Sequence, residues 1–199
     1  MKAPALPSAL SGALAATLLG VAWVVPLDRL SGAFPAHMIR HMILVALAAP
    51  ALVLAAPGLA RRLAVPALAG AVVDFAVVWA WHLPVLHGAA RGAAVPFMLE
   101  QGMFLLAGIA VWAGALGAAQ PLAGAGALLL TSMHMTLLGA LLSMAPSDVY
   151  AAICRTAPDL DGQRLGGLIM LGIGTPAYLV GGLVLTARAI GPDPSEEAA

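Results

Sequence analysis

Charge is scarce in this chain. Of 199 residues only 9% are Asp, Glu, Lys or Arg, and the formal net charge is zero. A soluble domain with a solvated surface is therefore excluded, and so is a basic surface for nucleic acid. Cysteine is scarcer still. The one thiol, Cys154, rules out a disulfide within the chain. Aromatic residues make up 5%. What fills the sequence instead is 62% hydrophobic residues in long unbroken runs. Only helices and closed barrels satisfy their backbone in lipid. A barrel strand alternates apolar and polar every second residue, which these runs do not do. The fold expected is an all-α polytopic membrane bundle.

A membrane span needs about 20 apolar residues. Six segments qualify: about 8–27, 36–56, 65–83, 96–116, 122–145 and 165–188. They form a single membrane domain with no internal repeat, and the acidic tail over 189–199 is expected to be disordered. Lys2 and the apolar run after it resemble a signal peptide. The run is longer than a usual signal core of about 7–15 residues, so a retained first helix is expected. Six spans put both termini on one side. The loops after spans one, three and five then share the opposite side. Arg61-Arg62 is the one basic cluster without acidic neighbours, which leans towards termini on the cytoplasmic side.

Polar residues gather at one membrane surface. His37-Met38-Ile39-Arg40-His41-Met42 opens the second span, with two histidines and two methionines at i, i+4 spacing. His82 ends the third span in Trp81-His82-Leu83-Pro84. Glu100 and Gln101 open the fourth, and Asp159-Leu160-Asp161-Gly162-Gln163 borders the sixth. Imidazole suits copper, iron and zinc, and thioether selects Cu(I). Bland readings compete: polar helix starts at the headgroups, methionine as packing, Trp79 and Trp81 as an interfacial belt, His87 as a solvated loop residue, Arg40 and Glu100 as a structural ion pair. Gly166, Gly167, Gly181 and Gly182 mark close helix packing.

Two titratable residues lie deeper. At 1.5 Å of rise per residue, Asp74 and His134 are both about 15 Å from that surface. A charged carboxylate at mid-bilayer costs about 2.5–3.5 kcal/mol at least. The two are therefore expected to pair across a helix interface.

Three functions fit such a pattern. A haem-binding electron carrier would use histidines on facing helices. A small metal-ion transporter would show inverted repeats or broken helices. A metal-handling assembly protein would hold copper at one membrane face. Clustered His and Met fit the third best.

The ordered motifs sharpen this reading. His37-Met-Ile-Arg-His41-Met with Ala49-Pro50 and Ala56-Pro57-Gly58, then Trp79-Ala-Trp81-His82-Leu-Pro84, Glu100 with the span to Trp112, Leu137-Leu-Gly139, and Asp161-Gly-Gln163-Arg-Leu-Gly166-Gly167 resemble the membrane cytochrome c oxidase assembly factors of the caa3 CtaG type. The resemblance spans about residues 34–185. It is distinct from the single-span proteins that share the CtaG name. It implies a non-enzymatic, multi-pass protein of the bacterial inner membrane. Such a protein helps to mature a haem–copper oxidase by assisting copper delivery, with oxidase subunits and other copper chaperones as partners. It implies transient Cu(I) as cargo, with His37, His41 and His82 as ligands. Met38, Met42 and His134 assist transfer, and Asp74, Glu100, Asp161 and Gln163 support the site. One departure is Gln101, where a histidine is common and where glutamine is a poor metal ligand.

Overall fold

The computed structural model describes residues 8–191, and every regular element among them is helical. In chain order these are α1 (Ser8–Val24), α2 (Leu27–Ser31), α3 (Ala33–Met42), a π-helical segment (Ile43–Ala48), α4 (Ala49–Ala55), α5 (Pro57–Leu63), α6 (Ala67–His82), α7 (Pro84–Gly92), α8 (Ala94–Leu116), α9 (Pro121–Met144), α10 (Ala151–Cys154) and α11 (Leu160–Ile190). The segment expected to be a disordered tail lies mostly outside the described residues, beyond Gly191.

Among the described residues, four continuous helices are long and apolar enough to cross a membrane: Ala33–Ala55, Ala94–Leu116, Pro121–Met144 and Leu160–Ile190. The remaining two expected spans are shorter. Helix α1 has 17 residues, and α6 has 16. The latter joins α5 at a bend of 82°. The pair therefore counts as a fifth, broken candidate, with Pro66 at the break.

The span Ala33–Ala55 is continuous because of how it handles Pro50. Proline has no N–H to donate. In the π segment the Ala49 N–H reaches back to the Leu44 carbonyl, five residues away. That leaves the Val45 carbonyl without its usual Ala49 donor, and the next residue is Pro50. An orphaned carbonyl in lipid costs several kcal/mol. Here two aromatic side chains supply donors: Trp112 Nε1 from α8 at 3.0 Å and the Tyr178 hydroxyl from α11 at 3.3 Å. Their rings stack with centroids 5.3 Å apart. A local backbone defect thus binds three spans at mid-depth.

Helices α9 and α11 make the most extensive pairing. Small residues permit it, as lipid-embedded interfaces require. A Cβ on Gly167 would lie 2.6 Å from the Gly139 carbonyl. Further along, the Thr136 and Thr175 hydroxyls meet at 2.8 Å. The glycine pair expected to mark close packing, Gly166-Gly167, does so. Trp81 departs from its expected belt position: it is buried, and its indole N–H faces the Met103 sulfur at 3.4 Å.

Candidate metal centre

The chain has five histidines, and four of them meet at one end of the bundle. His37 and His41 project from one face of α3, because residues four apart stack on the same side of a helix. His82 arrives from the last residue of α6. His87 comes from α7, a short helix started by Pro84 at its first position, where proline's missing N–H costs nothing. Glu100 enters from the second turn of α8. All five side chains are buried.

His37 is the hub. Its ring centroid is 4.7 Å from His87, 5.2 Å from His82 and 6.3 Å from His41, and its Nδ1 is 3.5 Å from Glu100 Oε2. His41 lies 5.0 Å from His82. Phe104 stacks on His41 at 4.2 Å and closes the inner side of the group. Phe34 and Tyr150 close the outer side, with Tyr150 4.6 Å from His87. The Tyr150 hydroxyl donates to the His82 carbonyl at 3.0 Å, so the loop before α10 is tied directly to the end of α6. Removing that tie by Tyr150→Phe will cost about 0.5–1.5 kcal/mol. It will expose His82 and His87 to faster hydrogen–deuterium exchange at their backbone amides. Unchanged exchange over 80–90 would show that the hydroxyl does not hold the roof.

The donor chemistry fits a metal ion. His37 Nε2, both ring nitrogens of His41, His82 Nε2, His87 Nδ1 and Glu100 Oε1 are buried without a hydrogen-bond partner. Each such group ordinarily costs about 1–3 kcal/mol when left unpaired, and one ion shared by the five side chains would satisfy them together. His82 Nδ1 lies 2.6 Å from the Val78 carbonyl. That contact places the proton on Nδ1 and turns the Nε2 lone pair inward, the arrangement usual for a metal-bound imidazole. One ligand atom each from His37, His87 and Glu100 lie within 4.8 Å of one another. Three ligand atoms about 2.0–2.1 Å from one metal sit about 3.3–3.6 Å apart. Closure therefore needs each ligand atom to move inward by up to about 0.7 Å.

Of the residues expected at the site, His37, His41, His82 and Glu100 come together. His87 joins them, although its sequence reading was a solvated loop. Its signals were Pro84 at a helix start and His87 and Arg91 at i, i+4 on one face. Met38 and Met42 face elsewhere, against α11: a Cβ on Gly166 would touch Met38 Cγ at 3.0 Å, and one on Gly174 would be 3.2 Å from Met42 Sδ. Asp161 stands at the surface, 3.8 Å from Arg164. Gln163 is buried and structural. Its Oε1 accepts from the Val149 N–H at 2.8 Å, and its Nε2 donates to the Leu142 carbonyl at 3.1 Å. Gln101 Nε2 donates to Glu100 Oε2 at 3.1 Å, so the residue expected to weaken a metal site instead orients the carboxylate.

Arg40 does not pair with Glu100. Its Nη2 donates to Asp28 at 2.6 Å and its Nε to the Ala22 carbonyl at 3.1 Å, while Arg91 donates to the other Asp28 oxygen at 3.0 Å. Burial pushes the Asp28 carboxyl up, but the two guanidinium groups outweigh it and hold the pKa below the usual value. The clamp is therefore intact at neutral pH and loosens only as acid protonates Asp28. Glu100, relieved of Arg40, turns to the histidines.

The fifth histidine pairs as expected. His134 Nε2 is 3.3 Å from Asp74 Oδ2, both side chains are buried, and the Phe75 ring meets His134 edge-on at 5.3 Å.

No curated protein and no solved structure matches the chain. A family model does match, over residues 58–191. That stretch carries His82, His87, Glu100 and the Asp74–His134 pair, while His37 and His41 precede it. With most of the chain and most of this buried cluster inside the match, the protein belongs to the cytochrome c oxidase caa3 assembly factor family.

Proposed function

We propose that the protein serves oxidase assembly by holding Cu(I) transiently in the four-histidine cluster and passing it to the oxidase. One observation carries this reading: buried nitrogen and carboxylate donors from α3, α6, α7 and α8 converge without partners of their own. Imidazole is a good ligand for copper. The donors lie near one end of the bundle, where an ion can be exchanged with a partner at the membrane surface. Cu(I) is the cargo, so the site must release it. Mobile closure over short distances suits that better than a rigid cage. The methionines add no support, because they pack against α11. A haem is disfavoured, since Phe104 already stacks on the His41 ring.

Two measurements test the proposal together. A strain lacking the protein should make oxidase polypeptides with depleted copper and retained haem. The purified protein should hold about one copper per chain and show no Soret band. Copper-replete oxidase in the deletion strain would refute the delivery role. A Soret band at stoichiometric haem would replace the copper reading with the haem one.

A further inference from the structure

One helix stands outside the packed bundle. Helix α5 follows α4 and precedes α6, so it lies at the opposite end of α6 from His82 and the histidine cluster. None of its seven residues is buried. Pro57 starts it, at a position that needs no N–H donor. Pro66 stops it, because the residue before a proline is pushed out of the helical region. An isolated helix shorter than about 12–15 residues is marginal in water. Burial in the bundle does not supply the missing support, so the support comes from what surrounds the bundle.

The direction of α5 identifies those surroundings. Its axis meets that of α6 at a bend of 82°. Helix α6 runs along the bundle towards the cluster, so α5 lies close to the membrane plane. Its side chains sort into two faces. At about 100° per residue, Leu59 and Leu63 project from one side, and each is 58% exposed. Arg61 projects from the opposite side and Arg62 from the flank. With Gly58 and Leu59 the two arginines line an open cleft of about 490 Å³. A Cβ on Gly58 would meet nothing within 4 Å. No local acid offsets the guanidinium groups: the sequence has no Asp or Glu between Asp28 and Asp74. The main neighbours of α5 are α4, which carries no charged residue, and α8, which carries none after Glu100.

We propose that α5 is an interfacial helix that binds the phosphate groups of anionic phospholipids through Arg61 and Arg62. Its leucines sink into the acyl boundary, and its arginines reach back to the headgroups. A guanidinium group presents a planar fork of N–H donors that matches phosphate oxygens. The site is at the membrane face away from the histidine cluster and does not depend on any metal there. A competing occupant lies in the chain itself. The end of α11 reaches the same face, since Leu185 and the end of α8 both crowd Gly124, and Gly114 of α8 crowds the Val65 carbonyl just after α5. The acidic residues Asp193, Glu196 and Glu197 follow, beyond the described residues.

The test uses the full chain in detergent micelles, offered equal amounts of phosphatidylglycerol and phosphatidylcholine, with bound lipid counted by native mass spectrometry. Each arginine at an anionic surface is worth about fivefold in binding, so the wild type should prefer phosphatidylglycerol about 30-fold. The preference should shrink at high salt. Replacing both arginines, Arg61→Gln with Arg62→Gln, should bring it close to unity. Arg61→Lys with Arg62→Lys, which keeps both charges, should retain most of it. Neutralising the tail by Asp193→Asn, Glu196→Gln and Glu197→Gln should change it less than about twofold. A nitroxide attached through Leu59→Cys, in a Cys154→Ser background, should be more accessible to oxygen than to a water-soluble nickel chelate. One attached through Gly58→Cys should show the reverse. An undiminished preference in the double glutamine variant, or an equal loss in Arg155→Gln at the other face, overturns the lipid site. So does a gain of about tenfold on neutralising the tail, which would mean that the tail covers the arginines. A Leu59 label open to the nickel chelate overturns the in-plane placement.

Discussion

Replacing His37 by alanine will strip copper from the oxidase while the protein itself still accumulates in the membrane. His37 touches every other member of the cluster, with His82 and His87 rings about 5 Å away and Glu100 at 3.5 Å. Losing even a supporting group around a metal ligand lowers affinity about 10–100-fold, and loss of the shared ligand should do at least as much. Folding should survive, because the substitution removes a buried polar group that has no hydrogen-bond partner at Nε2. Oxidase copper, measured on the purified enzyme, should fall to the level of the deletion strain. Membrane content of the assembly factor should stay near normal by quantitative immunoblot. Met42→Leu is the informative companion. Met42 packs toward Gly174 of α11, and a volume-conserving apolar swap costs little. It should therefore leave oxidase copper intact. Full copper in His37→Ala, or depletion in Met42→Leu equal to it, would move the ligand set from the imidazoles to the thioethers.

Asp74 and His134 will show strong energetic coupling. They meet at 3.3 Å with no exposure to solvent on Asp74. Removing one partner of a buried pair costs about 3–5 kcal/mol, because the other is left uncompensated. Replacing both by apolar residues should cost much less than the sum, since desolvation of both groups disappears with them. The check is a cycle of Asp74→Leu, His134→Leu and the double variant, followed by unfolding in detergent. Coupling of about 0.5–3 kcal/mol is expected. Additive losses would mean that the contact contributes nothing beyond two separate burials. The pair sits deeper than the histidine cluster and supplies the bundle with a polar contact between α6 and α9.

Much of this was legible in the sequence. Four of the six expected spans stand as continuous helices of membrane length, and the gathering of His37, His41, His82 and Glu100 at one end follows from run length and span parity. The depth match of Asp74 and His134 followed from 1.5 Å of rise per residue, and the pair is present. What remained hidden was rotation about each helix axis. A helix that is apolar all round gives no moment to show which side meets lipid and which meets protein. Met38 and Met42 therefore looked as close to the cluster as His37 and His41, although they turn toward α11. Arg40 and Glu100 looked paired because depth was the only coordinate available, whereas Arg40 reaches up to Asp28. His87 was missed for a different reason. Nine residues from Pro84 to Gly92 are too few to show a clear period, and a buried interfacial helix looks like a loop. The π segment left no sequence signal except Pro50 with two distant aromatics, Trp112 and Tyr178.

The most direct test of the copper cluster is X-ray absorption at the copper edge, on the purified protein loaded with one equivalent of Cu(I) in nanodiscs. A first shell of nitrogen and oxygen with imidazole multiple scattering and no dominant sulfur component is expected, lost in His37→Ala. A sulfur-dominated shell in the wild type, or an imidazole shell that persists unchanged in His37→Ala, would rule out the histidine ligand set.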